Sequence, residues 1–317
     1  MSNLVVFKSL QSVLSIISML SVGYFFSYKK WFDKETSKLF SKMVINISVP
    51  CFMISNLLGA YTKEKLINIA SSIFIPFTSM IVCYMLGVLI ARIIKLPSNR
   101  RGIFASTLSI SNTLFVGLPV NTALFGDSSI PFVFIYFIAN ITLFWTIGAY
   151  GIANDGMKTK GRIFSIKNLK NLFSPPLFGF IISVVLIFME INLPIFLMDT
   201  FKYMGSMTTP LSMLYIGIII YNINFKEIKW DKSMTILLIG RFMFSPLLVF
   251  FLCSYLSIPE LMKKVFIIQS AMPAMSITSV LAESSGADHK YAVIVTTITT
   301  IATLLFIPIY ILILSTF

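Results

Sequence analysis

Residues 111–127 read SNTLFVGLPVNTALFGD, and residues 267–283 read IIQSAMPAMSITSVLAE. Each stretch is mostly apolar, and each is interrupted near its middle. Gly117 and Pro119 interrupt the first, and Ala271 and Pro273 interrupt the second. Carboxamides flank both steps: Asn112 and Asn121 around the first, Gln269 before the second. Proline has no N–H and crowds the carbonyl four residues back, so it breaks or kinks a helix. In hydrocarbon, freed backbone groups are tolerated only where protein or a wet cavity takes them up. Interrupted apolar segments at corresponding places in two halves of a membrane protein point to a transporter's binding site.

Composition agrees with a membrane setting. The 317 residues are 57% hydrophobic and 12% charged, with a mean hydropathy of +0.90, against about 25% charged residues in soluble domains. Ten apolar stretches are expected to cross a bilayer as helices: 5–27, 40–60, 67–92, 102–125, 129–152, 175–190, 196–222, 233–256, 262–283 and 289–315. Most approach the ~20 residues that a spanning helix needs. The first is too long for a signal-peptide core and lacks a small-residue cleavage step. The net charge of +13 is a topology signal. Most Lys and Arg fall in loops after odd-numbered spans, as in Lys29–Lys42, Arg92–Arg101, Lys158–Lys170 and Lys226–Lys232. Positive loops stay in the cytoplasm, which puts both termini outside a multi-pass cytoplasmic-membrane protein. No aromatic-basic module accompanies the charge, so nucleic acid is excluded as a partner.

The polar stretch 153–174 divides the chain into a first repeat, 1–152, and a second, 175–317. Five spans in each half force the second to insert inverted. Prolines recur in order: Pro50 with Pro210, Pro76 with Pro246, Pro119 with Pro273.

Proline suits the first turn of a helix. Gly117-Leu118-Pro119 is therefore expected to end one half-helix and open another, exposing the amides of Val120, Asn121 and Thr122. Ala274, Met275 and Ser276 are expected to do the same after Pro273. Such amides, with about half a positive charge from the helix dipole, favour an anion. Asn112, with Thr113 beside it, Asn121 and Gln269 serve either as substrate contacts or as helix-to-helix hydrogen bonds. Arg241 lies within the eighth span, either to attract an anion or in a snorkelling or structural role. Gln269, Glu283 and Asp288 are candidates for ion coupling, and the acidic pair, with His289, equally suits a solvated helix end. Proton coupling or plain electrogenic movement is expected rather than sodium coupling. Asn46, Ser111 and Asn140 read as hydrogen-bonding glue between spans. Cys51, Cys83 and Cys253 read as packing thiols, and no metal-ligand spacing occurs. With no catalytic or nucleotide-binding motif, the chain reads as neither an enzyme nor an ATP-driven pump, needs no cofactor, and draws on a gradient.

Three stretches resemble the auxin efflux carrier family. They are SNTLFVGLPVNTALFGD, then SPPLFGFIISVVLIF leading to TTPLSMLYIGI, then RFMFSPLLV followed by IIQSAMPAMSITSVLAESSGAD. The resemblance runs in order over nearly the whole chain. It is most specific at Asn112-Thr113-Leu114-x-x-Gly117-x-Pro119 and Ala271-Met272-Pro273. It implies an all-α protein of ten spans with crossing, broken helices four and nine. It also implies a scaffold of spans one, two, six and seven, a transport domain of spans three to five and eight to ten, and elevator-type exchange. A homodimer through the scaffold helices, set in membrane lipids, goes with it. The implied substrates are small organic anions, from auxin to malate or malonate, with contacts at Asn112 and the turns at Pro119 and Pro273. Plant members carry a long central loop and a further proline in the second crossover. This chain has neither, and so resembles the bacterial organic-anion permeases. The alternatives in other classes are a membrane sensor of a ligand or lipid reusing the carrier fold, and a channel.

Overall fold

The computed structural model describes residues 2–156, 173–222 and 230–315. Most of the 153–174 linker, with Lys158–Lys170, and also Lys226 and Lys229, lies outside the described residues. No strand occurs among the described residues, which form twelve helices. The first half holds α1 (Ser2–Tyr28), α2 (Lys34–Ala60), α3 (Lys63–Ile93), α4 (Arg101–Ser109), α5 (Thr113–Phe125) and α6 (Asp127–Asp155). The second holds α7 (Pro175–Phe188), α8 (Ile195–Tyr221), α9 (Lys232–Ser254), α10 (Glu260–Ser270), α11 (Ile277–Ser285) and α12 (His289–Ser315).

Six of these helices, α2, α3, α6, α8, α9 and α12, are long and apolar enough to cross a membrane. The expected fourth, sixth and ninth crossings have physical reasons to fall outside that class. The fourth and ninth stretches are each split into two short helices, α4 with α5 and α10 with α11. The sixth, α7, has 14 residues, and α1 is a helix of 27 residues.

Local chemistry sets many of the boundaries. Asp33 caps α2 by accepting from the Thr36 N–H at 2.8 Å, and the Thr36 hydroxyl accepts from the Asp33 N–H in return. Asp231 caps α9 through the Met234 N–H at 3.1 Å. Gly286 ends α11 with φ +77, a left-handed conformation that costs other residues a Cβ clash.

The prolines act in a regular way. A π-turn opens six residues before the proline in α2 (Val44, Pro50), α5 (Thr113, Pro119) and α9 (Gly240, Pro246). The wider turn accommodates the carbonyl that the ring would strike and the bond that the missing N–H cannot make. Pro76 follows a 3-10 turn, Ser71–Ile73, and Pro210 follows the break at Met207 in α8.

Two groups of helices pack within themselves. α1 and α2 lie against α8, and α2 also lies against α7. Gly217 of α8 meets the backbone of α1 at Leu20 so closely that a Cβ has no room. The other group packs α3 against α4, α6 and α9, with α10 and α11 on α6 and α12 on α11. Helix α6 is enclosed, with Phe132, Phe134, Tyr136, Phe137 and Phe144 all buried. Cys83 and Cys253 are buried and Cys51 half-buried, all as free thiols.

Candidate substrate-binding site

The two breaks meet. Ser111 and Ala274 form an antiparallel bridge between extended stretches, and the Asn112 N–H donates to the Pro273 carbonyl at 2.7 Å. The chain thus pairs one interruption with the other, as an apolar surround demands. Side chains take up the remaining backbone groups. Asn140 of α6 accepts from the Ser111 N–H at 2.9 Å and donates to the Ser111 carbonyl at 2.8 Å. Thr299 of α12 accepts from the Ala274 N–H at 3.1 Å.

Arg241 serves the carbonyl ends. It is 0% exposed. Its Nε donates to Met272 O at 2.6 Å, Nη1 to Thr107 O at 2.7 Å and Leu108 O at 3.1 Å, and Nη2 to Pro273 O at 3.3 Å. Thr107 and Leu108 lie in the last turn of α4, and Met272 and Pro273 lie just past the C-terminus of α10. Each helix C-terminus carries about −0.5 of a charge, so the pair offsets the buried guanidinium without a carboxylate.

The amide ends face elsewhere. A cavity of about 540 Å³ lies where α5, α6 and α11 meet α2, α7 and α8. Asn112, Thr113 and Leu114 at the start of α5, and Met275, Ser276 and Ile277 at the start of α11, line it. Asn112 Oδ1 accepts from the Phe115 N–H at 3.2 Å, capping α5, and Asn112 Nδ2 points to Ser276 Oγ at 3.5 Å. Ser276 makes no side-chain cap bond to α11. Across the cavity stand Ser41 and Ile45 of α2, the Ser174-Pro175-Pro176 step, and Tyr215 of α8. Phe115 and Tyr215 nearly touch, with ring centroids 4.9 Å apart. Phe137, Ile141 and Trp145 of α6 complete an apolar wall, and among the described residues no charged side chain lines the cavity.

The first break lies upstream of its expected place. The helix resumes at Thr113, directly after Asn112, and runs through Pro119 without interruption. The π-turn absorbs the proline, so the amides of Val120, Asn121 and Thr122 lie inside helix α5 instead of opening it. Gly117, Pro119, Val120 and Asn121 are buried but off the cavity wall. In the second half, Pro273 and Ala274 hold the crossover, and Met275 and Ser276 reach the cavity. Gln269 turns towards Gly117, its Nε2 3.5 Å from Thr113 O. Glu283 and Asp288 stand apart from the cavity. Glu283 is exposed, 3.9 Å from His289, and Asp288 pairs with Arg100 at 2.7 Å.

Sequence reasoning missed Tyr215, Trp145, Phe137 and Ser41. An aromatic in an apolar span carries no signal that separates a cavity wall from a lipid face. The SPP step at 174–176 was legible as a motif, but not as part of a cavity.

A multi-pass helical membrane protein, with two interrupted helices meeting over a cavity, has the construction of a membrane transporter. The chain belongs to the membrane transport protein family, whose model matches residues 8–311, the auxin efflux carrier-like family that its motifs resemble. A transporter of Methanocaldococcus jannaschii named as uncharacterized is 27% identical over 307 residues, 94% of this chain and 96% of the relative. One of Methanothermobacter thermautotrophicus is 23% identical over 314 residues, 95% and 97% of the two chains.

Proposed function

We propose that this protein is a gradient-driven carrier of small organic anions across the cytoplasmic membrane, with its site at the α5–α11 cavity. One observation carries the reading. The crossing creates two negative and two positive helix ends. Arg241 takes the carbonyl ends, while the amide ends at Asn112–Leu114 and Met275–Ile277 open on the cavity. Helix N-termini of this kind favour an anion.

The lining narrows the class. Asn112, Thr113 and Ser276 offer polar groups at the helix starts, and Tyr215 offers a hydroxyl across the cavity from them. Phe137, Ile141 and Trp145 offer an apolar wall. An acid with one carboxylate and an apolar body matches the described lining better than a dicarboxylate, whose second charge would meet no charged partner among those residues.

The wider architecture follows the family. Ten crossings form two inverted repeats, with α4–α5 and α10–α11 as the broken fourth and ninth. The scaffold is α1, α2, α7 and α8, and the remaining helices move past it as an elevator. The cavity's place between these two packing groups supports this division. Charge distribution supports termini outside and the 153–174 linker inside, and the scaffold supplies the homodimer contact.

Counterflow in proteoliposomes tests the proposal, with benzoate, indole-3-acetate, lactate, malonate and malate as competing anions. Trans-acceleration by the aromatic monocarboxylates is expected. Acceleration by malate or malonate alone overturns the substrate class. Silence across the panel from folded protein, with saturable ligand binding, would instead favour a sensor.

A further inference from the structure

Another cavity, of about 400 Å³, opens where α9 and α12 part over α10. The first turns of α9 pack on α12, while its later turns pack on α10. Phe242 and Phe306 stack at one end, with ring centroids 4.6 Å apart. Ile267 of α10 is buried at the floor. Met243 and Leu247 of α9, with Ile309 and Ile313 of α12, form an exposed rim.

The walls are apolar. Pro246 has no N–H, which frees the carbonyl of Phe242 four residues back. The Tyr310 hydroxyl donates to that carbonyl, and the bond takes up both polar groups. No charged side chain stands among the described lining residues. A polar solute entering here would lose its hydration without gaining partners. An acyl chain packs on such walls by dispersion.

One charge stands at the other end. Phe250 lines the crevice about two turns along α9 from Phe242. The Lys263 Nζ of α10 lies 4.5 Å from its ring centroid. The neighbouring Lys264 pairs with Glu260 at 3.9 Å, whereas Lys263 meets no carboxylate among the described residues. An aromatic face attracts an ammonium but does not neutralise it. A lysine beside an alkyl-lined crevice between membrane helices favours a lipid with an anionic head.

We propose that this crevice binds an acyl chain of an anionic phospholipid, with the phosphate at Lys263. The crevice shares no lining residue with the α5–α11 cavity, so this lipid is a ligand separate from the transported anion. Its place gives it a role. Phe242 belongs to the π-turn Gly240–Phe244 and adjoins Arg241, whose guanidinium holds carbonyls of both breaks. A chain packed on Phe242 buttresses the turn that positions Arg241.

Thermal melting of the purified protein in detergent tests this, with dioleoyl phosphatidylglycerol, dioleoyl phosphatidylcholine or oleate added at equal mole fraction. Phosphatidylglycerol is expected to raise the melting temperature by a few degrees, saturably, and by more than phosphatidylcholine or oleate. Lys263→Gln should erase the difference between the two phospholipids. Met243→Trp and Ile309→Trp crowd the crevice from a rim that is about half exposed, so both should fold and both should remove the increment. Equal increments from the two phospholipids in the wild-type protein would overturn the proposal. So would oleate that matches phosphatidylglycerol, or a selective increment that survives Lys263→Gln or both tryptophan variants. A smaller oligomer in size-exclusion chromatography of the tryptophan variants, with the increment intact, would assign the crevice to a second copy of the chain instead. No outcome depends on flux, so failure here leaves the counterflow test untouched.

Discussion

Asn112→Ala removes a carboxamide that caps α5 and lines the cavity together. Losing an N-cap costs about 1 kcal/mol, a modest loss for the fold. Losing a polar contact on the anion is expected to lower counterflow at least about tenfold, the equivalent of roughly 1.4 kcal/mol. Melting within a few degrees of wild type with near-normal flux would remove Asn112 from the site. Arg241 predicts the opposite pattern. Its four bonds hold backbone carbonyls of both breaks, and each buried acceptor left orphaned costs about 1–3 kcal/mol. Arg241→Leu should therefore abolish a monodisperse folded protein in size-exclusion chromatography. Arg241→Lys, with a point charge and no fork, should fold partially. A well-folded Leu variant with impaired flux would mean that the guanidinium serves the anion rather than the crossing.

At the scale of elements, the π-turn before Pro119 decides which face of α5 points where. Pro119→Ala restores an N–H and lets the segment revert to α-helix. Dropping one residue from the turn rotates Thr113–Phe115 by about 100° against the rest of α5. Flux should fall while melting is unchanged or raised; unchanged flux would show that the π-turn has no part in placing the cavity wall. Helix α6 supplies the brace. Asn140→Leu strips both backbone partners from Ser111, and a loss of about 1–3 kcal/mol per group is expected, read as a lower melting temperature. The sequence suggested Asn140 and Ser111 as glue between spans, and the structure bonds the two to each other. The sequence misplaced the first break because a proline marks distortion without saying whether the helix stops or only widens. Here the five-residue π-turn Thr113–Gly117 absorbs Pro119, and the actual stop falls at Ile110–Asn112, where pairing with Pro273 and Ala274 compensates the lost helix bonds.

Across the whole molecule, the elevator reading requires the two packing groups to move relative to each other. Phe115 and Tyr215 touch across that boundary. With Cys51, Cys83 and Cys253 replaced, Phe115→Cys and Tyr215→Cys joined by a short bifunctional reagent should stop counterflow, and cleavage of the bridge should restore it. Full flux in the bridged protein would rule out relative movement there. The membrane class, the family and the two interruptions were determined by the sequence itself, because hydropathy, charge asymmetry and proline are properties of the chain that no packing can alter. The cavity and the division of labour at the crossing were decided only by tertiary structure. Whether Arg241 meets an anion or carbonyls, and whether Gln269 faces the cavity or Gly117, depends on which helix lies opposite, and that contact joins residues far apart along the chain.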